Sequence, residues 1–390
     1  MNVCFETFGC RLNKAEALQM EAEYLAKGWK LTRVHKDADL FVVRGCSVTR
    51  RAQADCEKLI AHLRHRYPAK EVIVCGCLSQ AKSSAPREDH ADDDVHVPTR
   101  TARAYLKVQD GCAGKCTFCI VPKFRGPSQS VDFVRVLDRA KRFVEAGYHE
   151  IVVTGCNLAL YASQGKRLPD LILALADINS SCRIRLGSVE PGSVAKEAVI
   201  AMSERPNVCR FLHLPIQSGS NRILKAMRRP YAIRDVDEII KTATQLMPDL
   251  GLGCDLMTGF PDESELDFSA TLGLFKRHEF SKTHVFRYSK RPGTAAAGFP
   301  NQIPREIRLS RAQKLNELAS SARRKFARSF VGKTVELVVE DERKGSGWTG
   351  EYLPCKIEGS TVRRKELVRA RVVKALGDRL VARLLTQSTK

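Results

Sequence analysis

The residues best placed to do chemistry lie in Gly111–Arg125, GCAGKCTFCIVPKFR, where Cys112, Cys116 and Cys119 stand in C-x3-C-x2-C spacing directly after an apolar strand pattern, Ala104–Val108. Thiolates this close in sequence can all face one point inside a single loop. Three is one ligand short of what a structural zinc or a saturated cluster takes. A 4Fe–4S cube held by three cysteines keeps one iron open for a substrate or cofactor. Phe118 sits immediately before the last of the three. A zinc knuckle awaiting a fourth ligand, or a chance grouping in a cysteine-rich chain, are the competing readings.

A second set is scattered. Cys10, Cys46 and Cys77 lie 36 and 31 positions apart, yet each follows a strand pattern and each is preceded by glycine. Residues 1–80 read as alternating elements: strands at Val3–Phe8, Leu40–Val43 and Glu71–Cys75, helices at Asn13–Lys27 and Thr49–Tyr67. Such alternation implies a parallel sheet, whose strand carboxyl ends converge on one ligand-binding edge. The three cysteines can therefore meet in space, and glycine lets backbone approach a bulky inorganic ligand. They can equally be small buried core residues, which is how Cys4, Cys56 and Cys75 are read. Residues 81–103, acidic at Asp92–Asp94 and carrying Pro98, form a linker in which His90 and His96 are solvated.

Residues 104–304 repeat the alternation, with strands expected at 104–109, 150–154, 183–187, 211–214, 252–257 and 283–287 and helices such as Phe133–Ala146 and Glu263–Arg277. Six βα units suit a partial barrel with its active site at the strand carboxyl ends. The polar or glycine-bearing ends are Thr154-Gly155-Cys156-Asn157, Gly187–Pro191 with Glu190, His213–Ser220 with Gln217, and Asp255 with Thr258–Pro261. Turn chemistry uses the same residue types, but four such ends in succession point to a ligand pocket.

Arg305–Phe330 reads as a long basic connecting helix, and residues 331–390 as a small β-barrel with strands at Thr334–Glu340, Glu351–Ile357, Glu366–Lys374 and Arg379–Leu384. Trp348 and Tyr352 lie among Lys344, Lys356, Arg363, Arg364 and Lys365. Aromatics interleaved with cations serve RNA by stacking and phosphate contact, although a core aromatic pair under a solvated basic face has the same pattern.

Composition limits the alternatives. The chain of 390 residues carries a formal net charge of +21, and residues 301–390 alone hold 21 Lys and Arg against 10 Asp and Glu. That imbalance favours a polyanionic partner over a merely solvated face. Fourteen cysteines without a secretion-signal layout argue against a disulfide framework and for a reducing, cytoplasmic setting with metal ligation. No apolar run approaches the roughly 18 residues of a membrane span.

Together these features resemble the radical S-adenosylmethionine (SAM) methylthiotransferases over nearly the whole chain. The supporting motifs are GCRLN at Cys10, GCSVT at Cys46, GCLSQ at Cys77, the C-x3-C-x2-C loop, RGPS, TGCN, SVEP, HLPIQSGS, TGFPDE and a terminal barrel of the TRAM type. The expected fold is α/β: an N-terminal parallel α/β domain, a partial (β/α)6 radical SAM barrel and a small C-terminal β-barrel. The resemblance implies two 4Fe–4S clusters. One, on Cys112, Cys116 and Cys119, would cleave SAM reductively to a 5′-deoxyadenosyl radical. The other, on Cys10, Cys46 and Cys77, would carry the sulfur. SAM would lie across Phe118, Thr154, Gly155, Asn157, Glu190 and Gln217. Trp348, Tyr352, Lys356, Arg363 and Arg364 would face RNA.

The implied partners are a tRNA anticodon loop and an electron donor such as a flavodoxin or ferredoxin. Known substrate branches of this family are isopentenyl-type adenosine, threonylcarbamoyladenosine and a ribosomal-protein aspartate. KVQDGCAGKCTFCIVP, FGCRLNKAEA and GWTGEYLPCKI lean towards the threonylcarbamoyl branch. Three features depart from the family pattern: only 34 residues separate Cys77 from Cys112, Arg44-Gly45 stands where Asn-Thr is common, and RGPSQS lacks arginines often present there. A non-enzymatic RNA-binding protein with structural metal is the rival from another class, and it would need four-ligand sets.

Overall fold

The computed structural model describes residues 1–80, 97 and 100–385. His90 and His96 lie outside the described residues.

The N-terminal unit is a four-stranded parallel sheet of β1 (Asn2–Thr7), β2 (Lys30–Leu31), β3 (Leu40–Gly45) and β4 (Glu71–Gly76), in the order β2-β1-β3-β4. Its central strands are apolar on both faces because helices cover both. Val3, Phe5, Leu40 and Val42 share a cluster with Met20 of α1 (Arg11–Ala26). Cys4, Phe41 and Val43 pack instead with Cys56, Ile60 and Leu63 of α2 (Arg50–Arg66). Cys4 and Cys56 are thus core residues, as the sequence suggests, while Cys75 is only half-buried.

The central unit has six parallel strands in chain order. Strands β5 (Ala104–Lys107), β6 (Glu150–Thr154) and β7 (Arg183–Leu186) form one sheet. Strands β8 (Phe211–Gln217), β9 (Gly251–Thr258) and β10 (Phe280–Arg287) form another, and a Ser188–His213 bridge joins the two. Strands β5 and β10 do not pair, so the barrel stays open. The largest hydrophobic cluster lies between these strands and the flanking helices, including Val136, Ala140 and Phe143 of helix Phe133–Glu145. This is the expected partial barrel.

Helix Arg305–Arg328 is more than a connector. Its Leu315 is buried in the central core, and Phe326 and Ala327 enter the core of the C-terminal barrel. That barrel is closed, with strands β11 (Thr334–Asp341), β12 (Ser346–Thr349), β13 (Pro354–Ile357), β14 (Leu367–Leu376) and β15 (Arg379–Leu384) in the order β11-β12-β13-β15-β14. The strand expected over Glu351–Ile357 is interrupted. Thr349 N–H bonds to Leu353 O (3.0 Å), Tyr352 takes φ +67°, and Pro354 opens a new strand.

Candidate active site between two cysteine trios

The first trio is built by one loop between β5 and the short helix Val121–Arg125. Gly111 has φ +64°, and a side chain there would collide with the Pro127 carbonyl, so the loop turns only because this residue is glycine. Gly114 faces the sulfurs, since a carbon added to it would stand 3.1 Å from Cys112 Sγ and 3.8 Å from Cys116 Sγ. The Gly114 N–H also donates to Cys112 Sγ at 3.2 Å. Phe118 anchors the loop by packing against Ile223, Met227, Met257, Phe260 and Tyr288.

The second trio comes from the three strand ends of the first domain. Gly9 has φ +98°, and a carbon added there would be 2.8 Å from Cys46 Cβ, so the Cys10 loop can lie against Cys46 only with glycine before it. Gly76 also has positive φ, at +79°. Gly45 is required for space: an added carbon would sit 2.6 Å from Leu78 Cβ. These glycines thus let the three cysteine loops close on one another. Cys46 and Cys77 are buried and Cys10 is exposed.

Arg125 joins the two trios and is 4% exposed. From the first loop it donates to Cys77 Sγ (3.2 Å), Asn13 Oδ1 (2.6 Å), both Glu16 oxygens (3.0 Å each) and both Asp110 oxygens (3.0 and 3.2 Å). Burial raises the cost of charge on Glu16, but Arg125, Arg44 and Lys107 outweigh it and hold that carboxyl well below the usual range. Cys156 lies in the same node, with its Sγ 3.5 Å from Asp110 Oδ1.

A second arginine serves the first trio. Arg229 donates to Cys116 Sγ (3.1 Å) and pairs with Glu190 (2.7 Å), whose other oxygen accepts from Asn157 Nδ2 (2.7 Å). Gln109 accepts from the Asn157 N–H (2.9 Å) and donates to Gly111 O (2.7 Å), tying the loop to the next strand end. Gly155 is needed there, because an added carbon would be 2.9 Å from Gln109 Oε1. Thr154 is buried at the end of β6, and Gln217 ends β8 with φ +69°. Tyr231 Oη holds the neighbouring Pro215 and Ile216 carbonyls (2.8 and 3.2 Å).

The expected SAM-facing residues thus share one edge, and Glu190 connects to the cysteine loop through Arg229, which bonds the Cys116 sulfur. Arg125, Arg229, Asn13 and Glu16 carry much of this geometry and were not singled out by sequence. Their only signal is membership of the FGCRLNKAEA and RGPS stretches or of a dibasic turn.

The C-terminal aromatics depart from their expected role. Tyr352 stacks on Trp348 (4.7 Å between centroids) and on Phe211 (4.8 Å), with Lys282 Nζ 3.9 Å and the Arg185 guanidinium 4.9 Å from its ring. Arg185 donates to Thr349 O and Gly350 O (2.7 and 3.0 Å). Buried Glu150 pairs with Arg183 and Arg185. The Trp348–Tyr352 turn is therefore wedged into the start of the central strands, with protein on its ring faces where bases were expected. Lys356, Arg363 and Arg364 remain exposed.

The Radical SAM superfamily profile matches residues 106–275, and that of the Uncharacterized protein family UPF0004 matches residues 2–97. A tRNA-2-methylthio-N(6)-dimethylallyladenosine synthase of Cereibacter sphaeroides is 32% identical over 94% of this chain and 94% of its own. The chain belongs to the radical SAM methylthiotransferase family. Other relatives of this methylthiotransferase are threonylcarbamoyladenosine tRNA methylthiotransferases MtaB. That of Thermotoga maritima is 30% identical over 95% of this chain and 94% of its own, and that of Bacillus subtilis 28% over 96% and 94%. A solved structure, the radical S-adenosylmethionine methyltransferase TsrM of Kitasatospora setae, has the same fold at TM-score 0.56, with 12% identity and 76% of each chain covered.

The family uses SAM and 4Fe–4S clusters. Among the described residues, the groups close enough to chelate a single ion are Cys4-Glu6-His35 and His213-Asp255-His284, and neither contains a trio cysteine. Burial pushes Cys46 up to about 11 and Cys119 up to about 12, so cluster assembly must displace those thiol protons.

Proposed function

We propose that the protein is a tRNA methylthiotransferase that places a methylthio group at C2 of N6-threonylcarbamoyladenosine beside the anticodon. The observation that carries the transferase reading is Arg125, which ties the Cys77 sulfur of one trio to the loop that holds the other. Cys112, Cys116 and Cys119 would hold the cluster that binds SAM, and Cys10, Cys46 and Cys77 the auxiliary cluster. When bound, the two clusters and SAM would supply a carbon-centred radical and a sulfur donor, chemistry that no side chain here offers. The protein's part is to hold the two sets of sulfurs on either side of the Arg125 node. Arg229 and Arg125 donate N–H groups to one sulfur of each trio, which stabilises thiolate ligands. Asn157, Glu190 and Gln217 would position SAM at the strand ends.

The threonylcarbamoyl branch draws support from Gln109-Asp110, the pair that fixes the loop, and from the MtaB relatives. The inward side of β8–β10 carries His213, Asp255 and His284, with Asp255 bonded to both histidines (2.9 and 3.1 Å). Such a polar lining suits a hydroxyl-bearing substituent better than a branched hydrocarbon. The dimethylallyl branch is the second reading, favoured by the Cereibacter relative. Purified enzyme, a reductant such as flavodoxin or ferredoxin, and the two modified tRNAs plus ribosomal protein, assayed side by side by mass spectrometry, separate these. Methylthio incorporation into the threonylcarbamoyl tRNA is expected. Incorporation only into dimethylallyl tRNA, or only into protein, overturns the branch.

A further inference from the structure

A cavity of about 500 Å³ opens where three parts of the molecule meet. The first domain contributes Gly9, Cys10, Arg11, Lys14 and Arg33, the segment before β5 contributes Arg100, and the C-terminal barrel contributes Arg364. Its volume falls within the range of small-ligand sites, about 300–1,000 Å³. Five cations face two carboxylates, Glu21 and Glu340. Glu21 pairs with Arg100 through one oxygen (2.9 Å), its buried Oε2 having no hydrogen-bond partner among the described residues, and Glu340 pairs with Arg103 (2.8 Å) and Trp348 Nε1 (2.8 Å).

Among the described residues the remaining cations have no carboxylate side chain as an ion-pair partner. Lys14 donates to Tyr105 Oη (3.1 Å), and Arg364 only to the Arg100 carbonyl. Arg11 lies over the Tyr352 ring, 5.1 Å from its centroid, and among the described residues neither Arg11 nor Arg33 has a carboxylate within ion-pair distance. Arg11 begins α1, a helix of 16 residues, so the free N–H groups and dipole of that end add to the positive field. Guanidinium forks gathered round a polar hollow match phosphate oxygens better than they match any apolar or cationic ligand. The hollow also opens at Cys10, the exposed member of the second trio.

We infer that this cavity binds a backbone phosphate of the RNA substrate, clamping the strand between barrel and first domain so that the target nucleotide is delivered at Cys10. The inference rests on the tRNA reading above and adds to it a specific site. It also moves the principal RNA contact away from the Tyr352 ring, which lies between Trp348 and Phe211, to the junction of the domains. A chain held at this junction reaches the auxiliary trio without the barrel having to move.

The test uses the full chain with reconstituted clusters and its tRNA, measuring dissociation constants over a range of salt concentrations. Arg33 and Arg364 are exposed, so Arg33→Ala/Arg364→Ala should fold, and iron content with melting temperature checks that it does. Each lost phosphate contact should reduce the slope of log affinity against log salt by roughly 0.7. Binding at moderate salt should weaken about tenfold. Arg234→Ala, on an exposed face of another helix, should leave both quantities unchanged. Equal slopes and affinities for the double variant and the wild type overturn the site while leaving the tRNA reading intact. Failure of the wild type to bind any tRNA removes that reading and this inference with it. Protection of the wild type, but not the double variant, from thermal unfolding by inorganic phosphate, with tRNA affinity unaltered, would make the cavity a free-anion site and also overturn the proposal.

Discussion

The two cysteine trios reach similar ends by opposite routes. Cys112, Cys116 and Cys119 share one loop, and their convergence needs only local turns such as Gly111. Cys10, Cys46 and Cys77 share nothing until a parallel sheet forms and brings three strand ends together. The first arrangement depends on short-range geometry, and the second on the packing of a whole domain. The dispersed trio should therefore be more sensitive to remote substitutions, although both offer three sulfurs and one buried arginine.

The largest test of that contrast is to remove each trio whole. Reconstituted enzyme should bind about eight irons, as two cubes require. Alanine at Cys112, Cys116 and Cys119 should leave about four and abolish formation of 5′-deoxyadenosine. Alanine at Cys10, Cys46 and Cys77 should also leave about four but spare that cleavage while stopping methylthio transfer. If the first triple variant still cleaves SAM, the division of labour is wrong.

Arg125→Leu should affect both stability and the dispersed trio. Glu16 and Asp110 would lose a buried partner while keeping Arg44 and Lys107, a loss of about 3 kcal/mol. Urea unfolding of the apoprotein measures this. Spectroscopic redox titration should show a shift only in the auxiliary cluster, whose Cys77 sulfur loses its donor. A shift confined to the SAM-binding cluster would contradict the assignment of Arg125 to Cys77.

Gly9→Ala is subtler. It places a methyl against Cys46 at a φ of +98°, which should cost about 1–3 kcal/mol. Iron should fall towards four while SAM cleavage persists. Full iron loading in this variant would show that the dispersed trio tolerates local movement after all.

The smallest expected effect on the clusters comes from a group away from both trios, which serves as a baseline. Burial would raise the Tyr352 phenol, but Arg11, Lys282, Arg103 and Arg185 outweigh it and bring it to about 7 from 10.0. An acid lowered on folding contributes stability that is complete above its unfolded value and lost as pH falls through its folded one. Stability should thus rise from pH 7 towards 10, with a tyrosinate absorbance step near 7. Both should disappear in Tyr352→Phe, with iron content unchanged. Persistence of the step in that variant would assign it to another group.

The sequence by itself determined the architecture, because period-2 and period-3.6 patterns record which faces are buried, and six strand patterns with intervening helices leave few alternatives. It also determined the contiguous cysteine loop, where spacing alone limits geometry. For the dispersed cysteines the glycines at positions 9, 45 and 76 were visible, but not that they fit against Cys46, Leu78 and the neighbouring loop. Only the tertiary structure decided the partners of Arg125 and Arg229, since contacts such as Arg125 to Asn13 span 112 positions and carry no local pattern. It also decided the place of Trp348 and Tyr352. An aromatic among cations has the same sequence pattern whether its ring meets a base or, as here, Phe211 and Lys282, because that choice is made by docking one domain on another.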